Sequence, residues 1–82
     1  MELRDTVEMM LSEDYRERFK AEYHQLEIRY RKLAGLISSY ECGKLDFEPK
    51  CNIRMLKEQR DLMGKLLGIL ELRGEIEGIL LY

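Results

Sequence analysis

An all-α protein is predicted: a short N-terminal helix followed by an antiparallel two-helix hairpin. Three observations predict it. In the first half Phe19, Tyr23, Leu26, Tyr30, Leu33, Ile37 and Tyr40 recur in steps of four and three, the period of one helix face. In the second half Met55, Leu62, Leu66, Ile69, Ile76 and Leu80 form one apolar edge, and Leu56, Met63, Leu67, Leu70 and Leu81 form another. Between the two lies a polar stretch holding Pro49, through which no helix continues.

Residues 1–11 open the chain. Leu3, Val7, Met10 and Leu11 mark an amphipathic segment, read as one helix of about two to three turns. Residues 12–82 form the hairpin. Ser12 is a natural N-cap, and Glu13 and Asp14 then occupy the first turn, where carboxylates complement the helix dipole. The first helix spans 12–43, with Gly43 as its C-cap, and would be roughly 40 Å long. Residues 44–52 make the loop, in which Leu45 and Phe47 fold back over the end of the helix pair. Asn52 caps the second helix, 53–81.

One hairpin has a single seam in which to bury side chains. Cores of this size rarely supply more than roughly 3–5 kcal/mol. The apolar side of the second helix covers close to half its circumference, more than one partner helix can hide. A homo-oligomer is therefore expected, with Leu62, Met63, Leu66, Leu67, Ile69, Leu70 and Ile76 at its interface. Gly64–Gly68 and Gly74–Gly78 are each four apart, and in a helix each glycine costs about 1 kcal/mol against alanine. Packing or flexibility must account for them.

The 14 basic and 16 acidic residues leave a net charge of −2, which argues against a partner as long as a nucleic-acid strand. A small ligand held by a few arginines remains compatible with it. The start Met1-Glu2-Leu3-Arg4-Asp5 is charged with no apolar run after it, and Leu62 to Leu72 is too short to span a bilayer. A cytoplasmic protein without membrane contact is expected. Cys42 and Cys51 are read as free thiols beside the loop, and His24, the single histidine, lies far from both. No metal or cofactor is expected. With no nucleophile–histidine pair and no Gly-rich phosphate loop, neither is catalysis.

Charges inside the apolar stripes need partners or a use, because buried charge is costly. Folding about a loop centred near Asp46 and Phe47 sets Glu22 against the Glu71–Arg73 turn, Arg18 against Glu75 and Glu77, and Arg29 against Gly64. Ion pairs Glu22–Arg73 and Arg18–Glu77 would fix the register, leaving Arg29 without an acid across the hairpin. A second reading takes Tyr15, Arg18, Tyr23, Gln25, Arg29, Tyr30 and Lys32 as a binding seam. Arginine forks grip phosphate, amides read base edges and tyrosine rings stack on bases. Aromatic stripes at helical spacing more often form core, so both readings stand at this point.

Asp14-Tyr15, then Arg18 through Arg29 (RFKAEYHQLEIR), then Lys32-Leu33 resemble a family of small phage and prophage proteins known from crAss-like phages. The second half resembles it in Leu45-Asp46-Phe47, Pro49, Cys51, Ile53, Leu56, Gln59 and Met63, then in Ile69-Leu70-Glu71, Arg73 and Ile76-Glu77-Gly78-Ile79. At the level of a short helical hairpin it is also similar to phage anti-CBASS and anti-Thoeris sponges, which hold nucleotide immune signals between subunits. The sponges' own opening motif is not found here, so that likeness implies a fold and no residue roles. The resemblance implies a phage counter-defence protein that sequesters a cyclic oligonucleotide or an ADP-ribose-type signal without catalysis. Two other functions fit the same residues: an inhibitor docking on a host defence protein such as a CRISPR effector, and a structural helical oligomer without ligand.

Overall fold

The computed structural model describes residues 1–82 as helices and short connections without any strand. A 3-10 turn, Leu3–Thr6, leads into helix α1, Val7–Met10; α2 spans Tyr15–Glu41 and α3 spans Ile53–Glu77. The helix start expected at Ser12 falls at Asp14. The Asp14 carboxylate accepts the Arg16 amide at 2.9 Å, and the Ser12 hydroxyl accepts the Asp14 amide at 3.0 Å. Asn52 caps α3 as its sequence position predicts, accepting the Met55 amide at 2.8 Å.

Both long helices stop at a glycine in the left-handed region, Gly43 and Gly78, each at φ 71°. Each stop carries the paired bonds of a Schellman motif. Lys44 N–H donates to Ser39 and Gly43 N–H to Tyr40; Ile79 N–H donates to Gly74 and Gly78 N–H to Glu75. Apolar periodicity carries α3 on to residue 81, but Gly78 ends it at Glu77 and turns the chain back. The returning tail buries Ile79 in the core and leaves Leu81 packed against it.

The antiparallel order of α2 and α3 follows the one expected from a loop centre at Asp46 and Phe47. Glu41 meets Lys57 at 2.6 Å near the loop, the Tyr30 ring stands over Gly64, and Tyr23 meets Glu71 farther out. Phe19, Tyr23, Leu67, Leu70 and Ile79 form the core, with Leu26, Tyr30 and Leu81 packed on it. The opposite face of α2 is covered too. Ala21 and Ile28, seven residues apart there, are buried, as is Thr6, whose hydroxyl donates to the Leu3 carbonyl at 2.7 Å. The opening segment thus docks on α2 through Thr6, and of the four residues its periodicity singles out Leu3 is half-buried whereas Val7, Met10 and Leu11 are exposed. Phe47 in the loop is exposed as well.

Candidate functional site

The seam proposed on α2 divides into two groups. The tyrosines turn inward or are engaged within the chain. Tyr23 is 1% exposed; its hydroxyl donates to Glu71 at 2.7 Å and lies 2.6 Å from the Tyr82 hydroxyl, which in turn donates to Glu27. Burial, the Tyr82 hydroxyl and the Glu71 carboxylate together push the Tyr23 phenol well above its ordinary range. Tyr30 is half-buried over Gly64, where a side chain would crowd its ring. Tyr15 is exposed, yet its hydroxyl donates to Glu77 at 3.0 Å and accepts from Arg73 at 2.7 Å. Stacking on a ligand base is therefore closed to Tyr23.

The polar members stay at the surface. Arg18, Gln25, Arg29 and Lys32 recur at helical spacing along one side of α2. The Arg18 guanidinium donates to the Ser12 carbonyl at 2.8 Å and the Gln25 amide donates to Met10 Sδ at 3.4 Å. Arg29 and Lys32 are exposed and make no salt bridge, unlike Arg31, which pairs with Glu27 at 3.6 Å. Lys32 lines a cleft of about 250 Å³ with Met1, Glu2, Ile28 and Arg31, between the opening segment and α2.

Neither interhelical ion pair takes the expected form. Arg73 bonds Glu77 on its own helix at 3.2 Å and Tyr15 across the hairpin, and its guanidinium sits 4.9 Å from the Phe19 ring centroid. The Glu77 bond, chiefly, holds Arg73 above its ordinary pKa, with the Glu22 carboxylate a lesser contributor. Arg18 turns back to Ser12 rather than out to Glu77. The interhelical partner of Arg73 is a tyrosine hydroxyl, where matched charge signs predict a carboxylate. The only salt bridge joining the two helices is Lys57–Glu41, which holds the Glu41 carboxyl below its usual range.

The seven residues assigned to an oligomer interface also divide. Leu67 and Leu70 are buried against α2 within one chain and Met63 is half-buried, because they share the face turned to the core. Leu62, Leu66, Ile69 and Ile76 are exposed, Ile76 by 76%, along with Met55 and Leu72. A groove of about 350 Å³ lined by Met55, Glu58, Gln59, Leu62, Met63 and Leu66 runs beside them. Cys42 and Cys51 are exposed free thiols, and no three His, Cys, Asp or Glu side chains stand together as metal ligands. No helix is long and apolar enough to cross a membrane.

Fold and surface together define a small all-helical hairpin with one uncovered apolar face beside a row of exposed cations. The Sequestin family model matches residues 13–76, most of the chain, and the protein belongs to the Sequestin family. No curated protein and no solved structure matches it.

Proposed function

We propose that this protein acts without catalysis, sequestering a small phosphate-bearing nucleotide between subunits of a homo-oligomer, as a phage counter-defence protein in the cytoplasm of an infected host. The family name supports a sequestering role. The observation that carries the nucleotide reading is the state of Arg29 and Lys32: exposed, a turn apart on α2, and without a carboxylate partner in the chain. Unpaired guanidinium and ammonium groups on one helix side are the donors that phosphate oxygens take. Arg18 extends the row, whereas Tyr23 supports the helix that presents it.

Calorimetric titration with cyclic dinucleotides, cyclic trinucleotides and ADP-ribose derivatives tests this reading. Each charge-assisted hydrogen bond contributes about 1.5–3 kcal/mol, so Arg29→Ala is expected to weaken binding by at least about tenfold. Lys32→Ala should act in the same direction, and Arg31→Ala should act little. No heat with any of these ligands, or binding indifferent to Arg29 and Lys32, overturns it.

A second reading, docking on a host defence protein, draws on the exposed Val7, Met10 and Leu11 of the opening segment, with Leu11 at 79%. It gains if nucleotides fail and Leu11→Glu abolishes counter-defence while the hairpin stays folded.

A further inference from the structure

We propose that α3 pairs antiparallel with α3 of a second copy, about a two-fold axis between Leu66 and Ile69, and that this pairing brings the two Arg29 side chains to one shared cleft. Met55, Gln59, Leu62, Leu66, Ile69, Arg73 and Ile76 alternate in steps of four and three along α3, the spacing of a coiled-coil seam. This seam is not the one used inside the hairpin. Met63, Leu67 and Leu70 pack toward α2, and at 3.6 residues per turn the outer row lies about 100° away from them. Four apolar members of the row, Met55, Leu62, Ile69 and Ile76, are each more than half exposed. An exposed row of this kind on a small chain marks an interaction surface.

The occupant is a second copy because the spacing of the row is the same read backwards and because the two-fold sets Glu22 of one copy level with Arg29 of the other, opposite charges across the pair. Turned end for end about the axis, Leu66 meets Ile69 of the second copy, Leu62 meets Arg73, and Gln59 meets Ile76. Charge selects this orientation over a parallel one. In parallel pairing Arg73 would face its own copy in the seam. Antiparallel pairing sets the two about 16 Å apart along the axis. Within its own chain Arg73 is already drawn aside by Tyr15 and Glu77 over the Phe19 ring, so its aliphatic stem is what the seam presents to Leu62.

The orientation has a further consequence. A two-fold axis perpendicular to antiparallel helices leaves both α2 helices on the same side of the α3 pair, as in a four-helix bundle. The side of α2 that faces inward follows from the contacts. Arg73, on the seam, bonds Tyr15, one heptad before Glu22, whereas Glu71, on the other side of α3, bonds Tyr23. Glu22 and Arg29, seven residues apart, share that seam side of α2. Arg29 stands level with the Gly64 region, close to the axis, since its neighbour Tyr30 lies over Gly64. The two Arg29 guanidinium groups therefore approach one cleft, each level with Glu22 of the other copy, and an anion that bridges the arginines takes the place of those carboxylates. That last step rests on the nucleotide reading above; the pairing itself does not.

Light scattering on the full chain without ligand, with disulfide trapping, tests the pairing. Leu66→Glu places a charge at the seam centre without touching the core and should weaken the dimer by about a hundredfold, with helical content unchanged. In a Cys42→Ser, Cys51→Ser background, mixing a Gln59→Cys chain with an Ile76→Cys chain should give the mixed disulfide over either self-disulfide. A wild-type chain that stays monomeric at micromolar concentration, a dimer indifferent to Leu66→Glu, or self-disulfides of Gln59→Cys in preference overturns the proposal. Arg29→Ala separates the two readings: it should leave the dimer intact while weakening nucleotide binding by at least about tenfold. Loss of binding with an intact dimer counts against neither, whereas an intact dimer that never binds nucleotide removes the ligand reading alone.

Discussion

The Tyr23 hydroxyl donates to Glu71 at 2.7 Å across the hairpin and lies 2.6 Å from the hydroxyl of Tyr82, so one buried ring ties α2 to both α3 and the returning tail. The Tyr82 ring meets the Tyr23 ring edge-on, with centroids 5.8 Å apart, and His24 stands against both. Tyr23→Phe keeps the ring and removes the links. It should destabilise the hairpin by about 1–2 kcal/mol, the range for losing hydrogen bonds at a buried site. Tyr82→Phe should cost less, because Tyr82 is exposed. In a double-mutant cycle by urea unfolding, the two should couple by about 0.5–1 kcal/mol. Strict additivity would show that the hydroxyl–hydroxyl contact contributes nothing.

The same cluster sets a pH limit. Tyr23, Tyr82 and Tyr15 all hold their protons above the ordinary phenol range, Tyr23 mainly through burial and the other two mainly through hydrogen bonds to Glu27 and Glu77. Once pH exceeds about 10, the unfolded chain releases phenolic protons that the folded chain keeps. Stability contributed by these groups is thus complete below about pH 10 and declines as pH rises beyond it. Tyr23→Phe should flatten that decline in thermal melts above pH 10. An equally steep decline in the variant would place its origin elsewhere.

Much of this architecture could be read from residue spacing, and the failures have physical reasons. Alternating steps of four and three located α2, and Pro49 with Asn52 located the break and the start of α3. The antiparallel order followed from loop position alone. The apolar period overruns the end of α3, because Gly78 also reads as half of a small-residue pair with Gly74. The sequence Gly78-Ile79, a glycine followed by an apolar residue, is also the mark of a Schellman stop. Periodicity cannot reach past such a stop, so Tyr82 and its bond to Glu27 were invisible. On the candidate site, spacing placed Arg18, Arg29 and Lys32 on one side of α2. It could not separate Tyr23 from them, since a core ring and a stacking ring recur with the same period.

Three glycines of α3 and its stop should respond differently to alanine. Nothing lies within 4 Å of a side chain built at Gly68, so Gly68→Ala should stabilise by up to about 1 kcal/mol through helix propensity. At Gly74 the added carbon would meet the Ile79 carbonyl oxygen and Leu81 Cδ1, each at 3.3 Å. The tail must then lift, and the gain in propensity is offset or reversed. Gly78→Ala strains a backbone at φ 71° and should cost about 1–2 kcal/mol. Ranking the three by melting temperature checks the stop. If Gly74→Ala stabilised as much as Gly68→Ala, the tail would not be docked where the fold places it.

Arg73 joins more of the hairpin than any other charged residue on α3, reaching Tyr15, Glu77 and the Phe19 ring face. These contacts are at the surface, where ion pairs are screened and contribute modestly. Arg73→Ala should therefore lower Tm by a few degrees, well short of the collapse that follows breaking a buried pair. The planar fork addresses a hydroxyl, a carboxylate and an aromatic face together, which a lysine ammonium does not. Arg73→Lys should recover only part of the loss. Glu22→Ala, removing a carboxylate that is not bonded to Arg73, should leave Tm nearly unchanged. A drop for Glu22→Ala as large as that for Arg73→Ala would restore the direct Glu22–Arg73 pair and count against the Tyr15 and Phe19 contacts as the anchors of Arg73.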